Sequence, residues 1–217
     1  MFSGYFFKDN AAIVSYSLYF LSIVIIILSS AIMKKIEIEN EQSSFISELP
    51  DYRLPSIKYI VRSVFDKTTA FIKRAGTTIL FASIIIWFLM SFSTKLKYGV
   101  EIESSILAYI GKKISWIFYP VIGKNSWEAA VSAIQGLLAK EQVISSISII
   151  SGLDIFTKAS AYSFVVFNLF SAPCFAAIAA MKQELGSLKN TIIAITYQTI
   201  IAWLLSSIIY QVFLLIF

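Results

Sequence analysis

Four stretches of the chain carry no charged residue: Ala11–Met33, Ala75–Thr94, Ala159–Met181 and Asn190–Phe217. A helix rises about 1.5 Å per residue, so each is long enough to cross a hydrocarbon core of about 30 Å. The pattern between them differs. From Ile57, apolar positions Ile60, Val61, Val64, Phe65, Phe71 and Ile72 recur at helical spacing, while Lys58, Arg62, Asp66 and Lys67 fall largely elsewhere. That predicts an amphipathic helix at the membrane surface, running straight into the span at Ala75. Lys34–Ser56, with Glu37, Glu39, Glu41, Pro50 and Pro55, predicts an ordered loop, and Lys95–Glu103 a shorter one. A second helical stripe, Ile106, Leu107, Ile110, Ile114, Ile117 and Phe118, carries Lys112 and Lys113 and meets Pro120. It reads as an interfacial or re-entrant helix stopped by the proline.

Two apolar segments are interrupted. Ala129–Leu153 would be a further span but for Lys140-Glu141 near its middle, and Ala159–Met181 contains Pro173. Lys182–Lys189 is a polar turn before the last helix. The fold expected is an all-α, polytopic transmembrane helix bundle with broken or re-entrant helices and interfacial amphipathic ones. Its divisions are a first span over 1–33, a region of loop, amphipathic helix, span and interfacial helix over 34–123, and a second membrane region over 124–217.

Composition sharpens this. The chain of 217 residues is 58% hydrophobic and 14% charged, with mean hydropathy +0.78; soluble domains carry nearer about 25% charged residues. A water-soluble enzyme, a disordered tail and a nucleic-acid-binding protein are excluded. The net charge of +5 does not change that. Lys34, Lys35, Arg53, Lys58, Arg62, Lys67, Lys73 and Arg74 gather in one connecting segment, as cytoplasmic loops do. The chain has no histidine, which removes the commonest metal ligand and general base. Its single cysteine, Cys174, cannot form an internal disulfide. Met1–Asn10 lacks a basic n-region, so Ala11–Met33 reads as a retained span rather than a signal peptide.

Chemistry is concentrated at the two interruptions. Lys and Glu at mid-helix cost about 2.5–3.5 kcal/mol each, and neighbours in sequence point about 100° apart. Two readings of Lys140-Glu141 stay open: a functional pair facing a polar cavity, or a displaced helix that puts both at the interface between two half-length segments. Pro173 removes a backbone donor and frees carbonyls in the preceding turn. Unwound carbonyls and helix ends are where transporters place ions, and Cys174 adds a sulfur. A plain proline kink beside a buried apolar thiol is the alternative.

Several strings occur in a recognisable order: Glu48-Leu49-Pro50, then Tyr52-Arg53-Leu54-Pro55; Lys73-Arg74-Ala75-Gly76-Thr77-Thr78-Ile79-Leu80; Gly136 with Ala139-Lys140-Glu141; and Pro173-Cys174 followed by Ala179-Ala180-Met181-Lys182 and Glu184-Leu185-Gly186-Ser187. From about Lys34 onward the chain resembles the carboxy-terminal half of the FeoB ferrous iron transporters: the FeoB C-terminal region and the second of two Gate, or nucleoside-recognition-like, repeats. Leu137, Gln135, Gln142 and Ala177 depart from the commoner residues of that family. A G-x-x-x-x-G-K-[ST] phosphate loop is absent; Gly111-Lys112 is followed by Lys113.

The resemblance implies inward movement of Fe²⁺ across a bacterial cytoplasmic membrane. GTP would bind elsewhere, on an amino-terminal half carrying the GTPase domain and first Gate, so the chain itself is expected to be no enzyme and to hold no permanent cofactor. Partners implied are the lipid bilayer, that amino-terminal half or a second copy, and no nucleic acid. Cys174 is the expected iron-contacting residue. Glu141 is a carboxylate on the path or the counter-ion of Lys140, and Ser171 is a lesser ligand. Pro173, Lys140 and Gly136 take structural or gating places. The alternatives are a non-transporting scaffolding subunit and a Gate-type permease for small solutes or nucleosides.

Overall fold

The computed structural model describes residues 2–8, 10–37, 56–138, 140, 142–150 and 153–216. Ten α-helices run in order among the described residues: α1 (Phe2–Phe6), α2 (Ala11–Glu37), α3 (Ile57–Ser91), α4 (Ile106–Ile114), α5 (Tyr119–Ile122), α6 (Trp127–Gly136), α7 (Gln142–Ile150), α8 (Lys158–Phe170), α9 (Phe175–Glu184) and α10 (Leu188–Ile216). Among the described residues the only strand-like pairings are two isolated bridges, Phe92 with Tyr98 and Ser93 with Ser105. The molecule is an all-α membrane helix bundle. Three segments among the described residues are long and apolar enough to cross a bilayer: Ala11–Ile32, Lys158–Glu184 and Leu188–Leu215.

The first helix continues through Lys34 and Lys35 to Glu37, where a loop is expected from Lys34 onward. Nothing in Lys-Lys-Ile-Glu breaks a helix, and lysine and glutamate favour one. The remainder of the loop, with the Glu48–Pro55 string, lies outside the described residues. The amphipathic segment and the following span are one unbroken helix, α3, begun by the Ser56 hydroxyl accepting from the Tyr59 amide. It ends at Ser91 rather than Thr94, because Phe92 turns extended and Ile106 donates its amide to the Phe92 carbonyl. Leu80–Ser91 forms its shorter, uniformly apolar portion.

Pro120 does not stop a helix; it begins one. It lies in the first turn of α5, where a missing N–H costs nothing, and the actual stop is Gly123 at φ 82°. The expected surface helix is also more deeply placed than its lysines suggest. Leu107, Ala108 and Gly111 of α4 are buried, and a side chain at Gly111 would collide with Val131 of α6.

Two apolar clusters hold the bundle. The larger joins Phe118, Val121 and Ile122 to Ala129, Val143, Ile147, Phe164 and Phe167. The smaller joins Ile86 of α3 to Leu107, Val131 and Leu138. Small buried residues, Ser160, Ala161 and Ser163 on α8 and Ala202 and Ser206 on α10, let those helices approach closely, and the Ser163 hydroxyl donates to the Ser206 carbonyl at 2.6 Å. Trp203 of α10 donates its indole N–H to the Ile117 carbonyl at 2.7 Å, in the 3₁₀ turn between α4 and α5.

A capping box starts α8: Thr157 Oγ1 accepts from the Ser160 amide, and Ser160 Oγ accepts from the Thr157 amide. Thr157→Val is therefore expected to lower stability by about 1 kcal/mol, read as a drop in the thermal midpoint of the purified protein.

Candidate functional site at two interrupted helices

Ala129–Leu153 is not a single span. It is the pair α6 and α7, of ten and nine residues, with Leu137, Leu138 and Lys140 between them in turns. Each is too short to cross a bilayer. Helix α6 closes with two tight turns, Leu137 N–H to Ile134 O and Leu138 N–H to Gln135 O. The start of α7 then packs against its end: a side chain at Gly136 would meet the Val143 methyl at 2.7 Å. The second interruption is Ser171–Cys174, between α8 and α9. Ser171 leaves the helix in an extended conformation, and Cys174 is the extended N-cap of α9.

Backbone groups orphaned by a helix end need partners, most of all away from water. Here each break supplies them to the other. The Phe175 amide, first of α9, donates to the Leu137 carbonyl at 2.8 Å. In the opposite sense, the Lys140 ammonium donates to the carbonyls of Asn168 at 2.8 Å, Ser171 at 3.1 Å and Leu169 at 3.4 Å. A positive charge at the carbonyl end of a helix also opposes the negative end of its dipole. The carbonyls left free where α8 ends ahead of Pro173 are thus held by a tethered cation.

The sequence-derived residues fall as follows. Lys140, Ser171 and Cys174 come together, and Lys140 and Cys174 are within electrostatic range of each other. The Ser171 hydroxyl donates to the Asn168 carbonyl at 3.4 Å. Cys174 is a free, partly exposed thiol that makes no capping hydrogen bond. Pro173 sits between them, and Gly136 marks the close approach of α6 and α7. Glu141 lies outside the described residues. Among the described residues no three His, Cys, Asp or Glu side chains gather; the described groups at this break are the Cys174 sulfur, the Ser171 hydroxyl and backbone oxygens.

Asn168 is the residue that the sequence reading passed over. It is the one amide side chain within Ala159–Met181. Its Nδ2 donates to the Phe164 carbonyl at 2.8 Å while its own carbonyl takes Lys140. Lys140 and Asn168 are also the polar part of a cavity of about 310 Å³, otherwise lined by apolar and aromatic residues including Val14, Val143, Tyr162 and Phe164.

Paired interrupted helices, satisfied by one another inside an apolar bundle, define a polytopic membrane protein of the discontinuous-helix class. A family model described as "Nucleoside recognition", named Gate, matches residues 72–188, and the chain belongs to that family. A second, described as "Ferrous iron transport protein B C terminus", matches residues 15–67. The chain is 38% identical over 222 residues to the Fe(2+) transporter FeoB of Staphylococcus aureus (strain COL), covering 98% of this chain and 33% of that protein. It is 29% identical to the Fe(2+) transporter FeoB of Methanocaldococcus jannaschii over 96% of this chain and 33% of that protein. A fusion of Fe(2+) transport protein A with Fe(2+) transporter FeoB from Porphyromonas gingivalis is 26% identical over 100% of this chain and 32% of its own length. The chain thus spans about a third of the length of these relatives. No solved structure matches it.

Proposed function

We propose that this chain forms membrane-embedded machinery of a ferrous iron permease in a bacterial cytoplasmic membrane, with Fe²⁺ as the transported substrate. The observation that carries the reading is the mutually capped pair of interrupted helices, with the Cys174 sulfur at the tip of α9 making no capping hydrogen bond among the described residues. The names of the relatives supply the metal. Lys140 holds the carbonyls at the end of α8, so the incoming ion is met first by sulfur, and Ser171 offers a hydroxyl beside it. An ion held by one thiol and neutral oxygens binds weakly enough to leave again, as conduction requires. Lys140 repels a cation directly and acts as the strut that keeps the break open. Glu141 stands next to it in sequence as a carboxylate on the path or as its counter-ion. The energy source is a GTPase region acting with this machinery, and the bilayer is the other partner.

Anaerobic ⁵⁵Fe²⁺ uptake in iron-transport-deficient cells, supplied with the chain and with the remaining transporter regions, tests this. Cys174→Ser is expected to lower uptake by about tenfold or more while membrane abundance stays unchanged, since a hydroxyl is a far poorer ligand for this ion. Uptake equal to wild type removes Cys174 from the pathway. Competition of uptake by nucleosides in place of divalent ions would select the solute-permease alternative instead.

A further inference from the structure

Helix α6 carries two buried polar atoms without a hydrogen-bond partner among the described residues: Ser132 Oγ and Gln135 Oε1. They lie three residues apart, hence on one face of the helix. Gln135 is only 6% exposed. Its orientation is fixed by Met90 of α3, whose sulfur accepts from Gln135 Nε2 at 3.0 Å. Turning the amide over would set oxygen against sulfur, two acceptors with no proton between them. Met90 therefore leaves Oε1 as the bare atom.

Met90 and Gln135 also belong to the walls of two separate cavities. One, of about 490 Å³, includes Ser83, Ser91 and Tyr98. The other, of about 340 Å³, includes Ser145 and Ser146 of α7. Both residues line each of them. Met90 borders the same apolar cluster as Phe175, the residue after Cys174. An acceptor without a donor, buried on a residue that lines two hydroxyl-bearing cavities, suits a ligand that brings positive charge.

We infer that Gln135 Oε1, oriented by Met90 Sδ, is a second, charge-neutral station for a divalent cation passing between the two cavities. This rests on the permease reading and adds a ligand atom and a positioning residue to it. Gln135 contacts the ion; Met90 acts only through Gln135. The station is uncharged, so it lowers the barrier between the cavities without trapping the ion.

The test is equilibrium dialysis of the full chain in anaerobic nanodiscs against ⁵⁷Co²⁺, a divalent ion that resists oxidation, together with the optical sulfur-to-cobalt charge-transfer band. Wild type is expected to show two classes of site, of which only the one carrying the band is lost in Cys174→Ser. Gln135→Glu should tighten the other class by about tenfold, because a carboxylate adds an attractive charge at short range. Gln135→Leu should abolish it, and Met90→Leu should weaken it severalfold by freeing the amide to turn. Should Gln135→Leu fail to fold, the gain in Gln135→Glu carries the decision, since a merely structural amide would not bind cobalt more tightly on acquiring charge. Unchanged binding in Gln135→Glu overturns the station and leaves a buried water as the partner of Oε1. Loss of the band in Cys174→Ser with no second class refutes the station alone. A second class that responds to Gln135 while Cys174→Ser changes nothing refutes the Cys174 reading and retains the station. Absence of cobalt binding in wild type overturns both.

Discussion

Lys140→Met is expected to destabilise the bundle by about 2–3 kcal/mol, the scale of losing charge-assisted hydrogen bonds while their acceptors remain desolvated. Methionine keeps the length and apolar stem of the side chain, so packing beside Val143 and Phe164 changes little. What vanishes is the set of donors to Asn168, Leu169 and Ser171. The damage should be local before it is global. Hydrogen exchange is expected to quicken at the Ser171 and Phe175 amides, whose bonds to Phe167 and Leu137 frame the same junction. Lys140→Arg, which retains the charge and donors, should recover part of the loss. Thermal unfolding with site-resolved exchange on the three proteins checks this, and equal protection in Lys140→Met would show that the three carbonyls do not depend on the ammonium.

The second large effect falls at Gly123, away from the interrupted helices. Its backbone is left-handed, at φ 82°, and a methyl group there would overlap the Tyr210 hydroxyl and come within 2.6 Å of the ring carbon that bears it. Gly123→Ala thus combines backbone strain with overpacking between α5 and α10. The expected cost is about 2–5 kcal/mol. The two contributions separate in a double variant. Tyr210→Ala opens the space but cannot relieve φ, so Gly123→Ala made in that background should cost only the backbone part, about 1–2 kcal/mol. Thermal midpoints of the four proteins close the cycle; an undiminished cost in the Tyr210→Ala background would assign the whole effect to φ.

Much of this architecture was legible because the bilayer allows few solutions. Length and absence of charge identify α2, the α8–α9 segment and α10. Pro173 locates one interruption, and the cost of Lys140-Glu141 at mid-helix locates the other. The segment folds as two half-length helices, α6 and α7, and the two readings of the pair both remain compatible with that. The continuity of α3 was also visible, since nothing between Ile57 and Ser91 breaks a helix decisively. Pro120 misled, because proline at the first turn of a helix and proline at its end look alike until the backbone is known.

The site was less legible, for a physical reason. Lys140 finds its acceptors 28 to 31 residues away, and the Leu137 carbonyl finds the amide of Phe175, farther along still. Neither pairing leaves a local pattern. Asn168 had a signal, as the lone amide in an apolar span. Gln135 stands out in the sequence only as a departure from a family resemblance, and its pairing with Met90, 45 residues earlier, depends on how α3 packs beside α6.

The reciprocal capping has a consequence for biogenesis. While the ribosome has delivered the chain only as far as Ile150, Leu137 lacks its amide and the Lys140 ammonium lacks its oxygens. Both arrive with the next two helices. The α6–α7 hairpin should therefore linger at the insertion machinery, sheltered from acyl chains, until Phe175 has emerged, so that four helices are released into the lipid as one unit.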